Sequence, residues 1–224
     1  MTAATISART TIRVPLVTSV VGLLAVVAAV GPLPSWLEFD RTLIATGQVW
    51  RILTGHLVHW NADHLLWDLF ALLTLGAFCE LRNRRQFIAC LAASTLAISL
   101  VLLCFASKVV HYRGLSGLDS ALYVLAVGSL CGEAWKNRGY LGTAIFAAGL
   151  LGLAGKLAYE MTTGQTLFVD AESAGFVPLP LVHAIGGVVG LAILVFAGFA
   201  SRAGSASWVA HRRANQRSAS PLSI

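Results

Sequence analysis

Charge is what this sequence has least of. Asp, Glu, Lys and Arg together make up 12% of its 224 residues, against 57% hydrophobic, and the mean hydropathy is +0.76. That balance excludes an ordinary water-soluble domain and places the chain among membrane proteins. Cysteine is also sparse. Cys79, Cys90, Cys104 and Cys131 lie in or beside apolar runs and form no CxxC pair, which argues against a disulfide or zinc framework and for small buried hydrophobes. Acidic residues number ten against sixteen basic ones, a net charge of +6. That excess would suit nucleic acid if it were clustered, but it is distributed between apolar runs, so no nucleic-acid partner is expected.

What is present is a series of apolar segments. The first, residues 14–30, follows Arg9 and Arg13 and resembles a signal peptide. It is longer than a signal core, and Pro32 and Pro34 follow at once, so it reads as an uncleaved first transmembrane helix. Residues 31–62 are mixed and carry Trp36, Trp50 and Trp60, as a loop lying in the membrane interface does. Further helices are predicted at residues 64–80, 87–106, 115–132, 140–159 and 180–200, each about long enough to cross the hydrocarbon core. The expected architecture is an all-α membrane protein with six transmembrane helices: a segment 1–13, a membrane domain 14–200, and a basic, disordered tail 201–224.

Alternating six crossings from a cytoplasmic N-terminus places eleven of the sixteen basic residues inside. These are Arg9, Arg13, Arg82, Arg84, Arg85, Lys136, Arg138, Arg202, Arg212, Arg213 and Arg217; Arg41, Arg51, Lys108, Arg113 and Lys156 fall outside. The asymmetry sets both termini in the cytoplasm. The start of the fourth helix, the cluster from His56 to His64 and the start of the sixth helix then share the outer face.

On that face lies Tyr112-Arg113-Gly114-Leu115-Ser116-Gly117-Leu118-Asp119. The Gly-x-Ser-Gly at 114–117 lacks the final glycine of a nucleophile elbow, because Leu118 occupies that position. A serine in such a place either bonds back to the previous helical turn or reacts. His183, at the outer start of the sixth helix, is an ionisable residue in a membrane segment and hence a functional candidate. Gly186 and Gly190 share a helical face with it and allow close packing. If that stripe packs on the fourth helix, His183 meets Ser116 as the base a serine nucleophile requires. His64 and Asp68 are neighbours at i and i+4. His56, His59, His64 and Asp68 are competent metal ligands, but their spacing matches no zinc pattern, so neither metal nor cofactor is assigned. Donors beside an oxyanion are the sharper reading of this cluster.

Trp50-Arg51 with Thr54, His59 and His64, Gly-x-Ser-Gly at 114–117 and His183 with its two following glycines resemble, in that order, the rhomboid intramembrane serine proteases. The resemblance implies a six-helix rhomboid-like bundle and a Ser116–His183 dyad without an obligatory acid. It also implies that His64, with the Ser116 amide, helps bind the oxyanion. Asp68 and Gly117 are taken as further auxiliary residues on their position, with His59 and Asp119 behind them. The Gly-Leu-Ser-Gly wording and Lys156-Leu157-Ala158-Tyr159-Glu160 before Gly164 are most similar to the rhombosortase branch. That branch implies a bacterial inner membrane, an active site facing the periplasm, and membrane-protein substrates ending in a Gly-Gly, transmembrane and basic sorting signal.

Two positions depart from the pattern. Asp68 stands where the family has an asparagine; an ionised carboxylate cannot donate to an oxyanion, so Asp68 is either protonated or orients His64. Ser120 stands where many rhomboids have a tyrosine. Asp119 either holds the His183 tautomer or pairs with another helix, the second being preferred. Lys156 and Glu160, at i and i+4, read as a mutually compensating ion pair, and Asp170 and Glu172 as residues flanking a substrate gate. A general rhomboid protease, a non-catalytic client-binding protein of rhomboid-like fold and a histidine-based metal or haem protein are the rival functions.

Overall fold

The computed structural model describes the backbone of residues 13–165 and 179–218 and the side chains up to residue 199. Asp170, Glu172, the first twelve residues and the last six lie outside the described residues. The chain is mostly helical. Among the described residues, three helical stretches are long and apolar enough to cross a membrane: Ala62–Phe105, Tyr140–Thr163 and Pro180–Phe199.

Helix α1 (Leu16–Ala28) opens on Pro15, which supplies no side-chain cap. Its first-turn N–H groups would be orphaned. Instead the Glu80 carboxylate, brought from a distant helix, accepts from Val17 N (3.0 Å), Thr18 N (2.8 Å) and the Thr18 hydroxyl (2.9 Å). A carboxylate there also complements the positive end of the helix dipole.

The tryptophan-bearing segment folds into three short helices, α2 (Leu33–Leu37), α3 (Arg41–Ala45) and α4 (Arg51–Thr54), with a 3-10 turn Gly55–Leu57. Arg51, 3% exposed, ties them together: its guanidinium donates to Gln48 Oε1 and to the Ser35 and Glu38 carbonyls. Thr54 donates to the Leu37 carbonyl at 2.6 Å. Arg41 donates to the Leu102, Leu103, Ala106 and Val109 carbonyls at the end of a later helix, where unpaired carbonyls favour a cation. Strand β1 (Phe39–Asp40) pairs antiparallel with β2 (His111–Tyr112), an element too short to leave a sequence pattern.

Helix α5 (Ala62–Ala71) starts at Asn61, whose side chain caps His64 N at 2.8 Å, and runs through a π turn (Leu72–Gly76) into α6 (Ala77–Phe105). Sequence reading expects two helices here, joined across Arg82–Arg85. The break falls at Asn83 alone (φ −151°, ψ 90°), and the Asn83 carboxamide caps the continuation by accepting from Gln86 N.

Helix α7 (Ser116–Lys136) is the centre of the molecule, with residues 117–122 all buried. It packs against α6, α8 (Tyr140–Thr163) and α9 (Pro180–Ser218). Gly186 and Gly190 of α9 lie against the Gly117 and Ala121 carbonyls, so the glycine stripe does pack on this helix. The apolar span of α9 ends at Phe199, while the helix itself continues to Ser218, through residues expected as a disordered tail. The alanines between residues 203 and 214, with Gly204 as the sole glycine and no proline, favour that continuation. Around α7, Leu72, Phe87, Ile98, Leu102, Leu122 and Val182 form the core.

Candidate functional site

Ser116 is the first residue of α7, and the turn before it is built for one residue type. Gly114 has φ +128°, and a Cβ there would stand 3.0 Å from the His64 ring and 3.3 Å from Asp68. Glycine is therefore required by both conformation and space. Tyr112 donates to the Gly114 carbonyl at 2.7 Å, and Gly114 N donates to the Gly55 carbonyl at 3.3 Å.

The Ser116 hydroxyl lies within hydrogen-bond distance of His183 Nε2, at 2.9 Å. The alternative fate of a helical serine, a bond to the carbonyl of the previous turn, is taken by Ser120, which donates to the Ser116 carbonyl at 2.9 Å. On the other side of the imidazole, Nδ1 lies 2.9 Å from Glu160 Oε2. Glu160 Oε1 accepts from Lys156 Nζ at 2.6 Å, and the same ammonium lies 3.5 Å from His183 Nδ1. The expected Lys156–Glu160 pair is present, then, but its carboxylate also grips the histidine. Sequence reasoning left Glu160 out of the site. The signal was there: it is the only carboxylate in a 24-residue helix.

Asp68 Oδ2 gathers three groups: Leu115 N–H at 2.8 Å, His59 Nε2 at 3.1 Å and His64 Nε2 at 3.4 Å. These contacts match an orienting role, since the carboxylate holds both rings and the turn leading into Ser116. His64 and Asp68 line the cavity, while His59 packs edge-on behind His64, ring centroids 5.1 Å apart. Replacing Asp68 with Leu leaves the buried Leu115 N–H unpaired and both rings unheld. The expected loss is about 1–3 kcal/mol for each unsatisfied group, whereas Asp68→Asn keeps an acceptor and loses less. Thermal unfolding of the detergent-solubilised variants checks the order Asn above Leu.

Asp119 makes no hydrogen bond to His183 or to a pairing residue. The residue is 7% exposed and borders the cavity, with no hydrogen-bond partner for either carboxyl oxygen. His56 belongs elsewhere again: Nε2 lies 3.0 Å from Ser99 Oγ and Nδ1 3.4 Å from the Tyr112 hydroxyl. Burial pushes its imidazole down to about 4, with a backbone hydrogen bond opposing in part, so it is neutral. Of the residues weighed as metal ligands, His59, His64 and Asp68 thus share one network, and His56 sits in another. Among the described residues, the grouping with ligand-like spacing is Glu38, Asp40 and His111. There Glu38 accepts from Arg113 at 2.8 Å and Asp40 caps α3.

Ser116, His183, Glu160, His64, Asp68 and Asp119 all face one cavity of about 1120 Å³, walled by apolar residues of α5, α7 and α8 such as Phe70, Tyr123 and Leu153. Arg113 stacks over the Trp60 ring at 4.5 Å on its border. The Ser116 and Gly117 N–H groups sit in the first turn of α7, where no intrahelical acceptor exists and the dipole favours negative charge. Chemically, the arrangement offers a hydroxyl, a base on that hydroxyl, and amide donors beside it. No protein-family model matches the chain, and no curated protein matches it.

Proposed function

We propose that this protein is an intramembrane serine endopeptidase of rhomboid type, with Ser116 as nucleophile and His183 as general base. The observation carrying this reading is the 2.9 Å hydrogen bond from Ser116 to His183 Nε2 inside an apolar-walled cavity. His183 would accept the hydroxyl proton as Ser116 attacks a scissile carbonyl, then return a proton to the leaving amine. The Ser116 and Gly117 amides, at the start of α7, would receive the oxyanion.

In this reading the chain crosses the membrane six times with both termini in the cytoplasm, as its basic residues favour. The break at Asn83 would mark the turn between the second and third crossings. The site then faces the periplasm of a bacterial inner membrane. The substrates are membrane proteins whose transmembrane segments enter the cavity. In the rhombosortase version, which the stretch from Lys156 to Gly164 favours, they carry a C-terminal Gly-Gly, transmembrane and basic signal.

A fluorophosphonate probe tests the chemistry without knowledge of the substrate. Labelling is expected at Ser116 and is expected to vanish in His183→Ala. Absence of labelling in folded wild-type protein would sink the enzyme reading in favour of a non-catalytic client-binding protein.

A further inference from the structure

We infer that Glu160 is a positioning residue for His183 and that Lys156 holds it in place, so that the nucleophile works through a Ser116–His183–Glu160 chain. This rests on the proposed role of Ser116 and adds the carboxylate that a serine–histidine dyad does without.

Burial is the first argument. Glu160 is the one buried residue of α8, 1% exposed in a helix whose apolar side chains are otherwise exposed or half-buried. Removing a carboxylate from water is unfavourable unless its oxygens are fully engaged. Packing does not call for it, since the rest of α8 buries so little. Both oxygens are nonetheless occupied, Oε1 by Lys156 and Oε2 by His183.

The second argument is the tautomer. A carboxylate only accepts, so Glu160 places the proton of the neutral imidazole on Nδ1 and leaves the Nε2 lone pair for the Ser116 hydroxyl. Lys156 Nζ only donates and lies 3.5 Å from the same Nδ1. Were it the group engaging that atom, the proton would sit on Nε2 and the base would be lost. Glu160 decides between these outcomes. It also faces the imidazolium that forms when Ser116 gives up its proton, and attracts it across 2.9 Å. Lys156, bonded to the opposite oxygen, balances the carboxylate charge where water is scarce.

The test follows the inactivation kinetics of Ser116 with the fluorophosphonate probe. Glu160→Gln is expected to slow the chemical step by about a thousandfold or more, the scale set by replacing a buried triad carboxylate with an amide, while half-saturation by the probe is unchanged. Glu160→Asp is expected to recover at least tenfold of that loss. The decisive protein is the double variant Lys156→Met, Glu160→Gln, which removes both charges together. It is expected to stay as slow as Glu160→Gln. Wild-type rates in the double variant would mean that Glu160 only neutralises Lys156, and would overturn the inference. Should Glu160→Gln fail to fold, the charge-balanced double variant carries the comparison alone. Wild-type labelling that requires Ser116, together with full-speed labelling of Glu160→Gln, defeats the inference and leaves the proposed function standing. No labelling of the wild type defeats both.

Discussion

Ser116→Ala is expected to stop cleavage of a reporter carrying a Gly-Gly, transmembrane and basic C-terminal signal, with a rate loss on the order of 10⁶-fold, while the protein still inserts and folds. The hydroxyl oxygen is the only part of Ser116 that reaches His183, so its removal takes away the nucleophile and little packing. His183→Ala is expected to cost a similar factor, because a serine with no base at 2.9 Å is a poor nucleophile at neutral pH. The double variant is expected to be no slower than either single one, since groups that act as a unit do not add. The measurement is the ratio of cut to uncut reporter in membranes containing equal amounts of each variant. Full processing by Ser116→Ala would end the proposal.

The second large effect involves no reacting atom. Gly186 follows His183 by one helical turn, and a methyl group built on it would lie inside the Gly117 carbonyl; one on Gly190 would collide with the Ala121 carbonyl. Neither neighbour is the end of a flexible side chain that can step aside. Both are backbone of the most buried helix. Gly186→Leu is therefore expected to force α9 off α7 and carry His183 away from Ser116, abolishing probe labelling and lowering the unfolding midpoint. Gly186→Ala is expected to lose about a hundredfold in labelling rate, the cost of a displacement near 1 Å at a reacting pair. Gly187 provides the control: a Cβ there would meet Val124 at an ordinary 3.8 Å. Gly187→Ala is expected to label at the wild-type rate. Equal behaviour of the two alanine variants would show that close approach along this seam does not set the Ser116–His183 distance.

That seam was legible in the sequence, and the reason is periodicity. His183, Gly186 and Gly190 lie on one stripe, and a stripe of glycines needs a helix against it. Which helix that is follows from the order of the motifs along the chain. Glu160 was not legible. Its i, i+4 relation to Lys156 completes a local pair and stops the search, and its other partner, His183, lies 23 residues on. The apolar pattern of α8 gives no sign of which face is covered. Asp68 was half legible. Its relation to His64 is local, but the Leu115 N–H that it accepts comes from 47 residues away, and His59 joins it only because the chain turns at Asn61. The pairing of β1 with β2 rests on two residues a side, below any readable alternation. The break at Asn83 lies in a run of polar residues that marks a connection without marking which residue makes it.

Glu80 has a bearing on the order in which the molecule can be made. It closes the first turn of α1 from a position 62 residues later than the Thr18 N–H it accepts, so the Val17 and Thr18 N–H groups find their side-chain acceptor only once the start of α6 is present. The first turn of α1 therefore depends on α6 for its side-chain cap. A helix early in the sequence is thus completed by a residue well downstream of it.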